Sequence, residues 1–124
     1  MIHPIERIII MSKSYKEITS RISKNAAALS KEHSPVMQGF RQMSQAAIAD
    51  GVLSMKQKEM IALAIGVAQR CDGCIGFHVK KLIELGATRE EISEVLGVNV
   101  YMGGGPALMY AAEALHAYDE FKSA

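Results

Sequence analysis

An all-α bundle of about six helices is the fold this sequence predicts. Apolar residues recur at three- and four-residue spacing along most of the chain, and no stretch alternates with period two for long enough to make a strand. Helix start and stop signals sit where that pattern breaks. The composition agrees: 49% hydrophobic residues with 8 Met suit closely packed helices with adaptable filler. At 124 residues the chain supports one domain with a real core and no need of disulfide staples.

The elements follow in order. Tyr15, Ile18, Ile22, Ala26 and Leu29 fall on one stripe of a first helix, which should stop before Pro35. Val36, Phe40, Met43 and Ala47 mark a second, ended by the turn signal Asp50-Gly51. Ser54 and Gln57 have capping-box spacing and open a third helix, Met55 to about Gln69. This helix is apolar nearly all round from Met60 to Ala68, as expected of a buried central element.

Cys71-Asp72-Gly73-Cys74 straddles a break, and a fourth helix is expected from about Cys74 to Leu85, with Gly86 as its stop. Thr88 and Glu91 form a second capping box, opening a fifth helix through Ile92, Val95, Leu96 and Val100. Gly103-Gly104-Gly105-Pro106 interrupts it, and Pro106 suits the first turn of a final helix ending near Lys122. No linker or internal repeat divides the chain, so residues 12–124 read as one domain. Residues 1–11 read as a poorly ordered N-terminal extension, with Met11 placed to serve as an alternative start.

Lys plus Arg nearly balances Asp plus Glu, for a net charge of +1, which argues against nucleic acid and anionic membrane as partners. Trp is absent, removing base-stacking platforms. The apolar piece Ile8 to Met11 is too short for a signal-peptide core or a bilayer span, so a cytoplasmic location is the expectation. In that compartment structural disulfides are rare, and a C-x-x-C pair points to redox or metal chemistry.

A thiol is a nucleophile only as its thiolate. Cys71 and Cys74 lie where a helix begins, near unpaired N–H groups and the positive end of the helix dipole. Two intervening residues let the sulfurs close a small ring, and Gly73 frees the turn. His78 follows Cys74 by four residues, on the same face one turn along, where it can accept or return a proton. Half of a zinc site has the same C-x-x-C spacing, but the chain has no third cysteine, and His3, His33 and His116 are scattered. Redox, metal and inert buried-cysteine readings remain open on spacing alone, with redox favoured. No cofactor is implied.

Glu59 enters the most apolar helix, either interacting with that helix's N-terminus or serving a site. Geometry raises a difficulty. Glu59 and Gln69 are about 15 Å apart along a helix, and an antiparallel return recovers only about 6 Å by His78. Long side chains, a steep crossing or a neighbouring subunit must close the gap.

Glu59, eleven residues, Cys71-x-x-Cys74, three residues, then His78 resembles the motif of the alkyl hydroperoxidase D (AhpD)-like proteins of the carboxymuconolactone decarboxylase superfamily. Tyr101 to Ala107 followed by Met109-Tyr110-Ala111 resembles their short single-domain members, and the likeness runs from about Val36 to Phe121. The resemblance implies an AhpD-like bundle built on a helical hairpin and assembled as a homotrimer or homohexamer. It implies reduction of a small hydroperoxide, or dithiol–disulfide exchange, sustained by a thiol reductant or redox partner protein. By the same likeness Cys74 forms the sulfenic acid, Cys71 resolves it, and Glu59 and His78 form a water-linked proton relay. On physical grounds helix-start geometry favours Cys71 as nucleophile, so Cys74 is the expectation for peroxide and Cys71 for exchange with a protein partner.

Two departures stand out. Gly73 occupies the position of a second histidine found in some members, which puts strong peroxidase activity in doubt. The chain is also shorter than the two-repeat members, so neighbouring subunits are expected to complete the site. Alternatives are a lactone enzyme of the carboxymuconolactone decarboxylase type, against which the cysteine pair argues, and a non-enzymatic metal-binding or structural assembly module. The final helix carries apolar or small residues around much of its girth, which also predicts self-association.

Overall fold

The computed structural model describes residues 13–123 and is helical throughout, with the 1–11 extension and His3 lying outside the described residues. Helix α1 spans Tyr15–Glu32, α2 Ser34–Ile48, α3 Met55–Ala68, α4 Asp72–Glu84 and α5 Arg89–Lys122. Helix α5 joins two helical segments across a kink at Gly104, whose φ of 68° and ψ of −149° are not helical. The six expected segments are therefore present, with the last two running together.

Local chemistry sets the boundaries. The Ser14 hydroxyl caps α1 by accepting the Glu17 N–H. Ser54 with Gln57 and Thr88 with Glu91 both form complete capping boxes, as the spacing predicts. Only His33 separates α1 from α2, where Pro35 sits in the first turn with no N–H to lose. Helix α4 starts at Asp72, not at Cys74, because Cys71 itself supplies the cap.

The α3–α4 hairpin forms the centre, with α1 and α5 packed against it. Leu63, Ile75, Val79, Leu82 and Ile92 have no exposed surface, and each contributes roughly 1.5–3 kcal/mol by leaving water. Ala111, Ala114 and Ala117 let α5 approach this core closely. Glu120, near the end of α5, closes the start of α1. Its carboxylate accepts the Ser14 hydroxyl at 2.6 Å and the Tyr15 N–H at 2.7 Å.

Helix α3 departs from the expected burial on all sides. Glu59, Leu63, Gly66 and Val67 are buried, but Ile61 and Ile65 are half exposed because nothing in the described chain covers that face. Helix α2 buries no residue, and its stripe of Val36, Phe40 and Met43 faces outward. Leu108 and Met109 of α5 are exposed as well. No helix among the described residues is long and apolar enough to cross a membrane.

Candidate active site

The site is built at the joint of the hairpin. Helix α3 ends in a Schellman motif: the Arg70 N–H donates to Val67 O at 3.1 Å and the Cys71 N–H to Gly66 O at 3.0 Å. Arg70 takes the left-handed conformation this requires, with φ 57°. Cys71 then serves as N-cap of α4, its Sγ accepting the Cys74 N–H at 3.1 Å. A sulfur thus takes the place usually held by a Ser or Asp oxygen. Cys71 and Cys74 are joined as a disulfide, with their Cα atoms 5.2 Å apart.

Glu59 and His78 meet within one chain. His78 Nδ1 lies 2.6 Å from Glu59 Oε2, with Glu59 buried and His78 partly exposed. The gap foreseen from the sequence closes because α3 and α4 pack closely at Gly66, short of the end of α3. A Cβ on residue 66 would stand 2.9 Å from Cys74 Cβ. From that crossing Glu59 is about 10 Å back along α3 and His78 about 6 Å along α4, a mismatch of about 4 Å that two side chains span. Glu59 is therefore not a cap of its own helix. As a carboxylate it only accepts, so Nδ1 carries the hydrogen and Nε2 is the nitrogen left to exchange a proton.

Helix α1 covers the other side. The Tyr15 hydroxyl donates to Asp72 Oδ1 at 3.3 Å, and Lys13 Nζ pairs with the same oxygen at 3.2 Å. Burial first, and then the Asp72 carboxylate, push the Tyr15 phenol well above its ordinary range, so it stays a donor. Ile22 Cδ1 would stand 2.8 Å from a Cβ on residue 73, and Thr19 Cγ2 2.6 Å from one on residue 76. Gly73 and Gly76 thus let α1 lie close on the first turns of α4. The space that a side chain at position 73 would enter belongs to Ile22.

The sequence reading misses Lys13, Tyr15 and Asp72 as neighbours of the pair. Asp72 inside the C-x-x-C was the available signal. His33 lies at the α1–α2 junction and His116 on α5, neither joining the site. Among the described residues no three His, Cys, Asp or Glu side chains gather as metal ligands.

Comparison with known proteins gives the family. The profile of the carboxymuconolactone decarboxylase family matches residues 34–117. The chain belongs to that family. Among carboxymuconolactone decarboxylase family proteins of known structure, an apo form from Legionella pneumophila is 53% identical, with a TM-score of 0.86, covering 88% of this chain and 97% of that one. A Thermotoga maritima protein is 28% identical with a TM-score of 0.74, covering 86% and 93% respectively. An uncharacterised protein of Cupriavidus necator is 38% identical over 109 residues, 88% of this chain and 96% of its own. Membership of the family is consistent with the AhpD-like reading of the motif.

Proposed function

We propose that this carboxymuconolactone decarboxylase family protein is a cytoplasmic thiol-dependent oxidoreductase that reduces hydroperoxides or exchanges disulfides through Cys71 and Cys74. The observation that carries this reading is the 2.6 Å contact of Glu59 with His78, whose free Nε2 belongs to a residue one helical turn from Cys74. A buried carboxylate fixing one ring nitrogen is the arrangement that keeps the other poised for proton transfer.

With the dithiol reduced, the Cys74 thiolate attacks the terminal oxygen of R–O–O–H. The O–O bond breaks, Cys74 becomes a sulfenic acid, and the departing alkoxide takes the proton that the Glu59–His78 relay received from the thiol. Cys71 then attacks the sulfenic sulfur, the S–S bond forms, and the hydroxyl leaves as water with the second thiol proton. Two electrons pass from the dithiol to the peroxide, giving one ROH and one water. A thiol reductant or redox protein restores the dithiol, attacking Cys71. The exposed apolar faces of α2, α3 and α5 support assembly into a homotrimer or homohexamer.

The test is a thiol titration before and after one equivalent of cumene hydroperoxide, on wild type, Cys71→Ser and Cys74→Ser. Loss of two thiols in the wild type, and retention of the Cys71 thiol in Cys74→Ser, are expected. Full peroxide consumption by Cys74→Ser would overturn the assignment. The family description supports a second reading, lactone decarboxylation, and turnover of a carboxymuconolactone substrate by a variant lacking both cysteines would favour it.

A further inference from the structure

An acidic residue inside a C-x-x-C works against the chemistry proposed for the pair. Asp72 follows Cys71 directly and is the first residue of α4. Consecutive Cα atoms are about 3.8 Å apart, so the Asp72 carboxylate stays within about 10 Å of Cys71 Sγ in any rotamer. That is close to the screening length in physiological salt, and a bare negative charge at such range disfavours a thiolate. It also opposes the positive helix end, which Cys71 Sγ meets through the Cys74 N–H.

The structure meets this carboxylate with donors from outside the α3–α4 hairpin. Asp72 Oδ1 takes the Lys13 ammonium at 3.2 Å and the Tyr15 hydroxyl at 3.3 Å. Both donors are held by further contacts. Tyr15 is fully buried, and its backbone N–H is tied to Glu120 of α5 at 2.7 Å. Lys13 Nζ lies 5.6 Å from the centre of the Tyr110 ring and 6.0 Å from that of Tyr15, within cation–π range. Tyr110 and Glu113 of α5 also act on the Tyr15 phenol, and both keep it protonated. The remaining charged groups of the site are the Glu59–His78 pair and Arg70, which precedes Cys71 in the chain.

We propose that Lys13 and Tyr15 are positioning residues for the redox pair: they hold the Asp72 carboxylate neutralised and so leave the start of α4 favourable to a Cys71 thiolate. This role rests on the redox reading for its use but not for its test. Helix α1 and the residues just before it then tune the pair, in addition to covering it.

The test is the pH profile of Cys71 alkylation by iodoacetamide in the Cys74→Ser protein, where Cys71 is the one thiol left and is partly exposed. Weaker neutralisation of Asp72 disfavours the thiolate, so the midpoint should rise. Lys13→Met should raise it by roughly half a unit to one unit, and Tyr15→Phe by less. Lys13→Arg should restore it. With Asp72→Asn also in place, Tyr15→Phe should leave the midpoint where it is, because the charge it acts through is gone. Thermal melts check the fold of each variant, and Lys13→Met, at a partly exposed position, decides the matter if Tyr15→Phe does not fold. An unmoved midpoint in folded Lys13→Met, or a Tyr15→Phe shift of equal size with and without Asp72→Asn, would overturn the role. The expected shifts in a protein that neither consumes peroxide nor exchanges disulfides would remove the redox reading and leave the effect of Lys13 and Tyr15 on Cys71 standing.

Discussion

Gly66 of α3 lies against Cys74 of α4 at a distance that leaves no room for a methyl group: a Cβ there would be 2.9 Å from Cys74 Cβ. Non-bonded carbons prefer about 3.5–4.0 Å. Gly66→Ala gains about 1 kcal/mol of helix propensity but loses about 1–3 kcal/mol to overpacking. Overpacking should win, because the atom it strikes is next to the backbone and cannot swing aside. Urea denaturation of the oxidised protein should show a midpoint lowered by the equivalent of about 1 kcal/mol, at unchanged slope. A raised midpoint would mean that the hairpin spreads freely.

The buried Glu59 carboxylate holds His78 through Nδ1 at 2.6 Å. Glu59→Gln keeps the size and an oxygen acceptor but removes the charge. Under the proposed mechanism it should lower the kcat of dithiol-dependent peroxide reduction by about 10–100-fold, with a smaller change in KM. Steady-state kinetics beside a thermal melt would separate this from loss of fold. An unchanged kcat would remove Glu59 from the relay.

Acid should weaken the tie between α1 and α5. Burial alone would raise the Glu120 carboxyl, but the Ser14 hydroxyl and the Tyr15 and Lys16 N–H groups outweigh it and hold the group below its ordinary range. A folded pKa below the unfolded one means stability present above the ordinary glutamate value of about 4.3, lost as pH falls through the folded pKa. Glu120→Gln should therefore be less stable than wild type at pH 7, by about 1 kcal/mol, and nearly equal to it at pH 3. A gap that persists to pH 3 would contradict the linkage.

Ile22 fills the space beside Gly73. Placing histidine there, as in some AhpD-like proteins, should destabilise the chain by about 1–3 kcal/mol unless Ile22 is cut back. In a double-mutant cycle, Gly73→His with Ile22→Ala should show a favourable coupling of more than about 0.5 kcal/mol. Strict additivity would show that the two positions do not compete.

Much of the fold is legible in the sequence because its determinants are local. Ser54 with Gln57 and Thr88 with Glu91 are boxes closed within one turn, and Gly86 and Gly104 mark the places where the chain must leave helical geometry. Reading α4 from Cys74 misses its first two residues, because sulfur is not among the usual capping acceptors. The periodicity of α2 and α3 shows which residues share a face but not what covers it, and Ile61, Ile65 and Phe40 are exposed in the single chain. His78 enters the candidate site by its spacing from Cys74, and Glu59 through family likeness; helix geometry alone places the two too far apart, since the close packing at Gly66 is a tertiary fact. The Tyr15–Asp72 bond joins residues 57 positions apart and leaves no trace in local pattern.

Cys71 is the last residue of one motif and the first of the next, its N–H closing α3 and its sulfur opening α4. Such a splice has no slack: one residue added or removed there must forfeit either the end of α3 or the beginning of α4. It also means that the sulfur's oxidation state is written into the backbone. When the disulfide opens, the sulfur that caps the Cys74 amide becomes a thiol or thiolate, so the exchange rate of that single hydrogen should report the redox state of the pair.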